Sequence, residues 1–393
     1  MSGWEAIRGW WERLWLRPAE VRNRATVGTH SSAVHGPEFA GSTGRDEIAH
    51  SDTNTFAPLA SAQRTPAGMH LSAPPGHDSE QVASVMGTLR WRPVSVGTPG
   101  PRLEPKPTSE KFRSFPFRPD TVVDGWSTGK VTVRGASLRG HAHRYYGQPR
   151  QDDFVVHVLP TGRVVVAVAD GVGNCVHAHV GATSAVRYVP HWVQAYAAEV
   201  GSAIDWDELI RGAAWTIVEQ AKTTLGLEEP DRTAAARDFS TTLVVAIVDP
   251  RDDGSADVRI TDVGDSGAWL LSREGFESLI AGKSADEGGI TSSAVSGLPR
   301  VPQTLQVRSV VLEPGEVLLV GTDGIGDPLG SGEGGVGNLF KDVLGVGVPS
   351  LLEFANAADF SRETFDDDRT LVAVWPDAAV AAGAEGGDSQ TYY

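Results

Sequence analysis

The sequence predicts an α+β fold in which an antiparallel β-sandwich is flanked by helices. Many short runs rich in Val, Leu and Ile are joined mostly by tight turns that contain Gly or Pro. A pair of helical segments interrupts these runs only once. A parallel, doubly wound sheet would alternate strands with helices throughout, so the antiparallel arrangement is favoured.

The predicted elements follow one another from about residue 121. Residues 152–171 form two strands joined by a Pro-Thr-Gly turn, and residues of about 178–200 and 206–225 form helices. A loop is predicted at about 281–300 and a helix at about 350–359. Further strands are predicted in FSTTLVVAIVDP, ADVRITDVGDSGAWLLS, LQVRSVVLEPGEVLLVGTDG and RTLVAVW. Together they predict a domain over residues 121–378, followed by a flexible Ala/Gly-rich tail at 379–393.

The first 18 residues have a different pattern, typical of a short amphipathic helix rich in Trp. Pro18 ends this pattern. The apolar residues that recur at helical spacing are Trp4, Ile7, Trp11, Leu14 and Trp15. Three interpretations stay open: the helix packs on the folded domain, it docks a kinase or a scaffold protein, or it contacts a membrane surface.

Residues 19–120 are predicted to be a disordered linker rich in Pro, Gly and Ser. Such a stretch buries too little apolar surface to offset the entropy that ordering it would cost. The segment TLRWRPVSV, at residues 88–96, is the place where a short ordered patch is expected.

Composition excludes several classes of function. The chain has 393 residues and a net charge of −16, and it lacks a strong basic patch, so nucleic-acid binding is disfavoured. Cys175 is the single cysteine, which excludes an intramolecular disulfide and any multi-Cys metal site. No run of about 18 apolar residues is present, so no transmembrane segment is predicted. We therefore expect a cytoplasmic protein.

Five aspartates stand at the ends of apolar runs that are far apart in the sequence. They are Asp152, Asp170, Asp265, Asp323 and Asp367. A carboxylate beside an apolar core is costly unless water, hydrogen bonds or a cation compensates it. Mg²⁺ and Mn²⁺ prefer oxygen ligands, so the set predicts one shared cluster of cations.

Glycines next to two of these aspartates strengthen the metal hypothesis. Asp170-Gly171 follows the run VVVAVA directly, and Asp323-Gly324 repeats the pattern. Gly171 permits a close backbone approach, so that its carbonyl can serve as a ligand. A single Asp-Gly pair most simply marks a tight turn. The whole ordered set instead indicates a pair of cations that activate a water and stabilise charge on a transferring phosphoryl group.

The set resembles the metal-dependent serine/threonine protein phosphatases of the PPM (type 2C) family, over about residues 130–376. It is most similar to the divergent bacterial branch, whose Gly…His…Gly…Gln-Asp lead-in has its counterpart in GASLRGHAHRYYGQPRQDD. The other matching motifs are ADG at 169–171, STTL at 240–243, VGDSG at 263–267, TDG at 322–324 and DDRT at 367–370.

The resemblance implies the ligands of two Mn²⁺ or Mg²⁺ ions. Asp170 would bridge both ions, and Asp323 and Asp367 would hold the first; these are the implied catalytic residues. The Gly171 carbonyl would hold the second ion, with Asp152 reaching it directly or through water.

The resemblance also implies a weaker third metal site, lined by Asp265 together with Asp323. The reaction would be in-line attack on phosphorus by the activated water, with no phospho-enzyme. The partner would be a phosphoserine or phosphothreonine protein.

The sequence departs from the family around the substrate phosphate. Many members carry an arginine five residues before the first metal aspartate, where this chain has Gly147. Arg144 and Arg150 are the candidates to replace it, since a guanidinium grips phosphate with two prongs; a solvated surface charge is the alternative for each.

His141 and His143 are further candidates for contact with the phosphate, with a strand-edge or surface histidine as the alternative. Val172 stands where eukaryotic members have a histidine.

Asp366 and Asp368 flank Asp367. They are interpreted as a solvated acidic turn, with a supporting role for one of them as the alternative.

The function predicted from the sequence is therefore metal-dependent hydrolysis of phosphoserine or phosphothreonine on proteins. The alternative is a weakly active or inactive module that binds phosphoproteins or scaffolds a partner through its N-terminal helix. Two other hydrolase classes are disfavoured. Ser266 lacks the Gly-x-Ser-x-Gly pattern. Gly321 stands where a haloacid-dehalogenase-like enzyme would need a second aspartate.

Overall fold

A computed structural model describes residues 94–100, 118–172, 175–280 and 297–377. All of them belong to the second of the two units into which the chain divides, Asp78–Tyr393. The predicted helix at residues 1–18, most of the predicted linker at 19–120 and the predicted tail at 379–393 lie outside the described residues. They stay predictions.

The described residues contain eleven strands and seven helices, each numbered in chain order. The strands are β1 (Thr121–Ser127), β2 (Val131–Leu138), β3 (Asp153–Val158), β4 (Val164–Ala169), β5 (Leu243–Pro250), β6 (Ala256–Val263), β7 (Gly267–Ser272), β8 (Gly275–Ile280), β9 (Val307–Leu312), β10 (Val317–Gly321) and β11 (Arg369–Pro376). The helices are α1 (His141–Tyr145), α2 (Ala178–Tyr196), α3 (Trp206–Leu225), α4 (Arg232–Asp238), α5 (Asp323–Leu329), α6 (Gly335–Leu344) and α7 (Leu351–Ala358).

The strands form two antiparallel sheets. The order is β1-β2-β11-β10-β7-β8 in the six-stranded sheet and β3-β4-β5-β6-β9 in the five-stranded sheet. The predicted α+β sandwich flanked by helices is confirmed. The strand that comes last in the described chain, β11, lies inside its sheet, between β2 and β10.

Burial on both faces explains why the central strands are continuous apolar runs. In β4 and β11 every residue is buried. One face of each sheet packs against the other sheet, through residues such as Val166, Leu318 and Val372. The opposite faces are covered by helices, so that neither face requires polar residues.

The helices cover the two outer faces of the sandwich. Val189 of α2 and Ile217 of α3 belong to the apolar cluster on the five-stranded sheet. Phe340 of α6 and Phe354 of α7 belong to the cluster on the six-stranded sheet. Two of these helices begin with a side-chain cap: the Asp205 side chain accepts a hydrogen bond from the Glu208 N–H at α3, and Ser350 forms a capping box with Glu353 at α7. No helix of the described ranges combines the length and the apolar character that a membrane span needs.

Part of the segment predicted as linker packs on the sandwich. Residues 94–100 run beside the chain at 361–363, where the Val96 N–H donates to the Ser361 carbonyl at 3.0 Å and the Ser361 N–H donates to the Val94 carbonyl at 2.8 Å. Val94 and Val96 also contact the apolar cluster on the six-stranded sheet. The folded region therefore extends upstream of the predicted boundary at residue 121.

Asp262, near the end of β6, allows a first prediction. Burial raises the pKa of its carboxyl to about 6. An acid whose pKa is raised by folding destabilises the protein above that pKa, and the penalty disappears as the pH falls towards the unfolded value. We expect Asp262→Asn to raise Tm by roughly 2 °C at about pH 7.5 and to leave it unchanged near pH 4. Thermal unfolding of both proteins at the two pH values tests this, and an equal shift at both would contradict it.

Candidate metal centre

The predicted aspartates lie at strand ends contributed by both sheets. Asp152 immediately precedes β3 and Asp170 immediately follows β4. These strands pair with Asp153 opposite Ala169, so the next positions outward along the ladder are Asp152 and Asp170. The antiparallel register therefore places these aspartates side by side.

The second sheet contributes Asp323 and Asp367. Asp323 is the first residue of α5, just after β10, and Asp367 lies just before β11. Thr322 connects this edge to the first sheet: its hydroxyl donates to the Asp152 carboxylate at 2.8 Å. The same hydroxyl accepts a hydrogen bond from the Thr370 N–H at 3.2 Å.

The carboxylates of Asp152, Asp323 and Asp367 form an acidic cluster around Asp170, whose charge all three oppose. Burial raises the pKa of Asp170 well above its ordinary value, and the carboxylates of Asp152, Asp323 and Asp367 raise it further. The pKa of Asp367 is raised to about 6, because the surrounding protein reduces its solvation and neighbouring carboxylates repel it. A carboxylate cluster of this kind is the arrangement that a divalent cation relieves.

Solvent exposure increases across the cluster. Asp152 is buried, at 1% exposure. Asp170 and Asp323 are partly exposed, and Asp367 is exposed. One oxygen of Asp323, Oδ1, is enclosed and has no hydrogen-bond partner within the described part of the chain. The cluster thus combines access from solvent with an unused acceptor, and hard oxygen donors of this kind fit Mg²⁺ or Mn²⁺.

Gly171 lies where a side chain would not fit. A Cβ at this position would come within 2.8 Å of Ala178 and 3.0 Å of the Gln151 carbonyl. Its backbone forms an isolated antiparallel bridge with Thr241. Gly171 therefore packs closely against Ala178 and Gln151, and its role as a carbonyl ligand stays a prediction.

Thr241, Thr242 and Ser266, which had no predicted roles, support Asp170 through its backbone. The Asp170 carbonyl accepts hydrogen bonds from the Thr241 hydroxyl at 2.7 Å and the Thr242 N–H at 2.8 Å. The Asp170 N–H donates to the Thr242 hydroxyl at 2.9 Å, and that hydroxyl lies 2.7 Å from the Ser266 hydroxyl. Ser266 thus connects the turn that carries Asp265, between β6 and β7, to the Asp170 loop.

Asp368 corrects the interpretation of the acidic triplet. It is 1% exposed, whereas a solvated turn was favoured from the sequence. Its carboxylate accepts hydrogen bonds from the N–H groups of Gly140, at 2.7 Å, and of Gln151, and it lies 2.8 Å from His143 Nδ1. Burial opposes its charge, yet the His143 imidazole and these N–H groups hold its pKa down at about 2. Asp368 therefore ties the loop before β11 to the segments before α1 and β3.

The short helix α1 sits directly on this loop. A Cβ at Gly140 would come within 2.2 Å of the Asp367 backbone, so only glycine permits the contact. The Ala142 N–H donates to the Asp366 carbonyl at 2.9 Å. The glycine and histidine of the lead-in motif thus position the backbone that carries Asp367.

The candidate phosphate ligands differ in their surroundings. His143 faces the cluster: ligand atoms of His143, Asp367 and Asp368 lie within 4.8 Å of one another. Burial alone would lower its pKa, but the Asp368 and Asp367 carboxylates raise it to about 9. The side chain is therefore an imidazolium at neutral pH in the cation-free protein.

The two candidate arginines are engaged within the domain. Arg144 pairs with Asp120 at 3.1 Å, and its side chain is 14% exposed. Arg150 is 1% exposed, and its guanidinium donates to the Ser137 hydroxyl and the Asp152 carbonyl. Arg150 thus braces the segment that carries Asp152 and is not presented to a substrate.

The backbone at Gly147, where many family members have an arginine, has a conformation that favours glycine. Its φ is +62°, in the left-handed region that glycine adopts freely and an arginine adopts only with strain. The backbone here supports the turn between α1 and the Gln148–Gln151 segment, where the Gln148 N–H donates to the His143 carbonyl at 2.8 Å. An arginine at position 147 would therefore be strained in this loop conformation.

Comparison with known proteins identifies the family. The family profile described as Protein phosphatase 2C matches residues 139–349, which is more than half of the chain. This range includes Asp152, Asp170, Asp265 and Asp323. A comparison with curated protein sequences gave no match.

Several solved structures are similar in fold. The serine/threonine phosphatase PstP/Ppp of Mycobacterium tuberculosis is 17% identical, covers 63% of this chain and 99% of its own, and superposes with a TM-score of 0.45. The PstP catalytic domain in complex with two manganese ions is 18% identical, covers 62% of this chain and 97% of its own, with a TM-score of 0.44. RsbX in complex with magnesium is 16% identical, covers 64% of this chain and 98% of its own, with a TM-score of 0.42. On the family match, together with the antiparallel sandwich and its edge of carboxylates, this chain belongs to the protein phosphatase 2C family.

Proposed function

We propose that this protein hydrolyses phosphoserine or phosphothreonine on proteins with the help of Mn²⁺ or Mg²⁺. The observation that carries the proposal is the cluster of Asp152, Asp170, Asp323 and Asp367, in which burial, and then repulsion between carboxylates, raises the pKa values of Asp152, Asp170 and Asp367. Such a cluster is unfavourable by itself and favourable around divalent cations.

The proposed ligands are those that the resemblance to the family implies. Asp170 would bridge two ions, Asp323 and Asp367 would hold the first, and the Gly171 carbonyl with Asp152 would hold the second. A weaker third site would be lined by Asp265 and Asp323. When bound, the ions supply Lewis-acid chemistry, lowering the pKa of a water and offsetting the negative charge of a transferring phosphoryl group.

The chain's own residues supply positioning and charge. The hydrogen bonds to Thr241 and Thr242 hold the Asp170 backbone in place, and Asp323 Oδ1 is an acceptor that a cation could use. His143, cationic at neutral pH and beside Asp367, is the side chain that we propose for contact with the substrate phosphate. Arg144 could assist only after leaving Asp120, and Arg150 would act by holding Asp152 in place.

Turnover by the purified protein tests the proposal. We expect hydrolysis of a phosphothreonine peptide and of a phosphoaryl ester that requires Mn²⁺ or Mg²⁺ and stops on addition of a chelator. Asp323→Asn should lower kcat by on the order of 10²-fold or more, because it removes a charged ligand. Circular dichroism of the variant checks that it is folded.

Two results would contradict the proposal. If the wild-type protein shows no turnover above Asp323→Asn in the presence of Mn²⁺, it is not an active phosphatase of this kind. A phosphoprotein-binding module would then be the better description. If the ester is hydrolysed but no phosphopeptide is, the metal chemistry holds and the protein substrate is wrong.

A further inference from the structure

A groove on the outer helical layer is lined by apolar residues. It is a cavity of about 400 Å³ between α6 and α7, and its lining includes Val94, Leu339, Val343, Val346 and Val348. We call it the α6–α7 groove. Val346 is 82% exposed and Val348 is 42% exposed. Leu351 and Leu352, at 38% and 67% exposure, extend the apolar surface at the start of α7. Contiguous exposed apolar surface of this kind usually marks a contact site.

Two carboxylates also line the groove. Asp342 of α6 and Glu353 of α7 are both exposed. Glu353 takes part in the capping box at the start of α7, which holds its side chain near the groove. The site therefore fits an apolar group flanked by positive charges.

The course of the chain indicates which segment occupies the groove. Val94 lines the groove and is held there by the hydrogen bond from Ser361 N–H to its carbonyl, at 2.8 Å. The residues immediately upstream, 88–93, read TLRWRP and lie outside the described ranges. Trp91 is three residues from Val94, so its Cα cannot be farther than about 11 Å away.

The composition of this segment matches the groove. Trp91 supplies a large apolar side chain, and Arg90 and Arg92 place a positive charge on each side of it. We propose that residues 89–93 bind in the α6–α7 groove, with Trp91 against the valines and with Arg90 and Arg92 facing Asp342 and Glu353.

The proposed contact is connected to α1, the short helix beside the candidate metal centre. Residues 94–100 lead from the groove towards α1: the Glu363 N–H donates to the Thr98 carbonyl at 2.8 Å, and the Gly100 N–H donates to the Ser361 hydroxyl at 2.8 Å. A Cβ on Gly100 would lie 3.1 Å from His141 Nδ1. Binding of residues 89–93 would therefore anchor the upstream end of a segment whose other end rests against α1. This contact could form whether or not the protein is an active phosphatase.

Amide hydrogen exchange of the full-length protein tests the contact. In the wild type we expect the amides of Leu89, Arg90, Trp91 and Arg92 to exchange slowly. Val346→Lys should speed their exchange by about tenfold or more, since it places a positive charge in the apolar part of the groove. Val200→Lys is the matched control, because Val200 is 43% exposed in the turn after α2 and should change nothing.

A reciprocal variant guards against a local effect of the lysine. Trp91→Ala changes none of the described residues, and it should speed exchange at residues 343–348. Fast exchange of residues 89–92 in the wild type, or equal exchange in wild type and Val346→Lys, would overturn the proposal. Protection that grows with protein concentration would overturn it too, because it would assign the groove to a second copy of the chain.

Discussion

Asp170→Asn is expected to lower kcat by on the order of 10³-fold and, at the same time, to raise Tm of the metal-free protein. Lewis-acid stabilisation is worth several kcal/mol, and about 4 kcal/mol corresponds to about three powers of ten in rate. The gain in Tm of the metal-free protein comes from removing a charge that the folded state disfavours. Burial and the carboxylates of Asp152, Asp323 and Asp367 disfavour a charge at position 170, and an amide removes that charge.

The measurement combines turnover with thermal unfolding in chelator and in Mn²⁺. The wild type should gain Tm on addition of Mn²⁺, as any protein does when a ligand binds its native state, and the variant should gain less. Asp252→Asn serves as the control, because the Asp252 side chain is 99% exposed and its exchange should affect neither quantity. A variant that loses activity together with Tm in chelator would show that Asp170 supports the fold and would refute the electrostatic account.

Asp368→Ala is expected to lower the free energy of unfolding by about 3–5 kcal/mol. The substitution leaves the N–H groups of Gly140 and Gln151 without their acceptor, and it leaves the His143 imidazolium without its partner. Asp368→Asn should cost less, since the amide oxygen can still accept from a backbone N–H while the ion pair is lost. Urea unfolding of the metal-free proteins at neutral pH measures the free energy of unfolding of the wild type, Asp368→Ala and Asp368→Asn.

The free energy of unfolding that is lost in Asp368→Ala depends on pH. The pKa of Asp368 is lowered to about 2, so its contribution is present above the unfolded value near 4 and is lost as the pH falls through about 2. The pKa of His143 is raised to about 9, so its contribution is complete below about 6.5 and is lost as the pH rises through about 9. The difference between wild type and Asp368→Ala should therefore be largest between about pH 4 and 6.5. A difference that is constant from pH 5 to about pH 10 would rule out the ion pair as its source.

The parts of the fold that were predictable are those in which local pattern and burial agree. The strands β4 and β5 are apolar runs bounded by turns, and α2 and α3 have apolar residues at helical spacing. By contrast, β1 and β2 were not predicted. The strand β1 carries Asp124 and Gly125 at a sheet edge, and β2 contains Arg134 and Gly135, so neither has a clean strand pattern.

In the candidate site, too, only the residues with a clear local pattern were predictable. Spacing and Asp-Gly motifs indicated Asp170 and Asp323, because these residues directly follow buried strands. Nothing in the triplet Asp366-Asp367-Asp368 shows which carboxylate turns inward, since the direction depends on contacts with Gly140 and Gln151 that are far away in sequence. The inward direction of Arg150 was not predictable for the same reason, because it is set by Ser137 on another strand.

The interior position of β11 has a consequence for biosynthesis. A ribosome adds residues from the N-terminus onwards, so the six-stranded sheet has a gap between β2 and β10 until this segment has emerged. Asp367 and Asp368 arrive immediately before β11, which means that the acidic cluster stays incomplete for as long as that gap is open. A nascent chain should therefore acquire its cation affinity in the same late step that closes the sheet, and a prematurely terminated product should acquire neither.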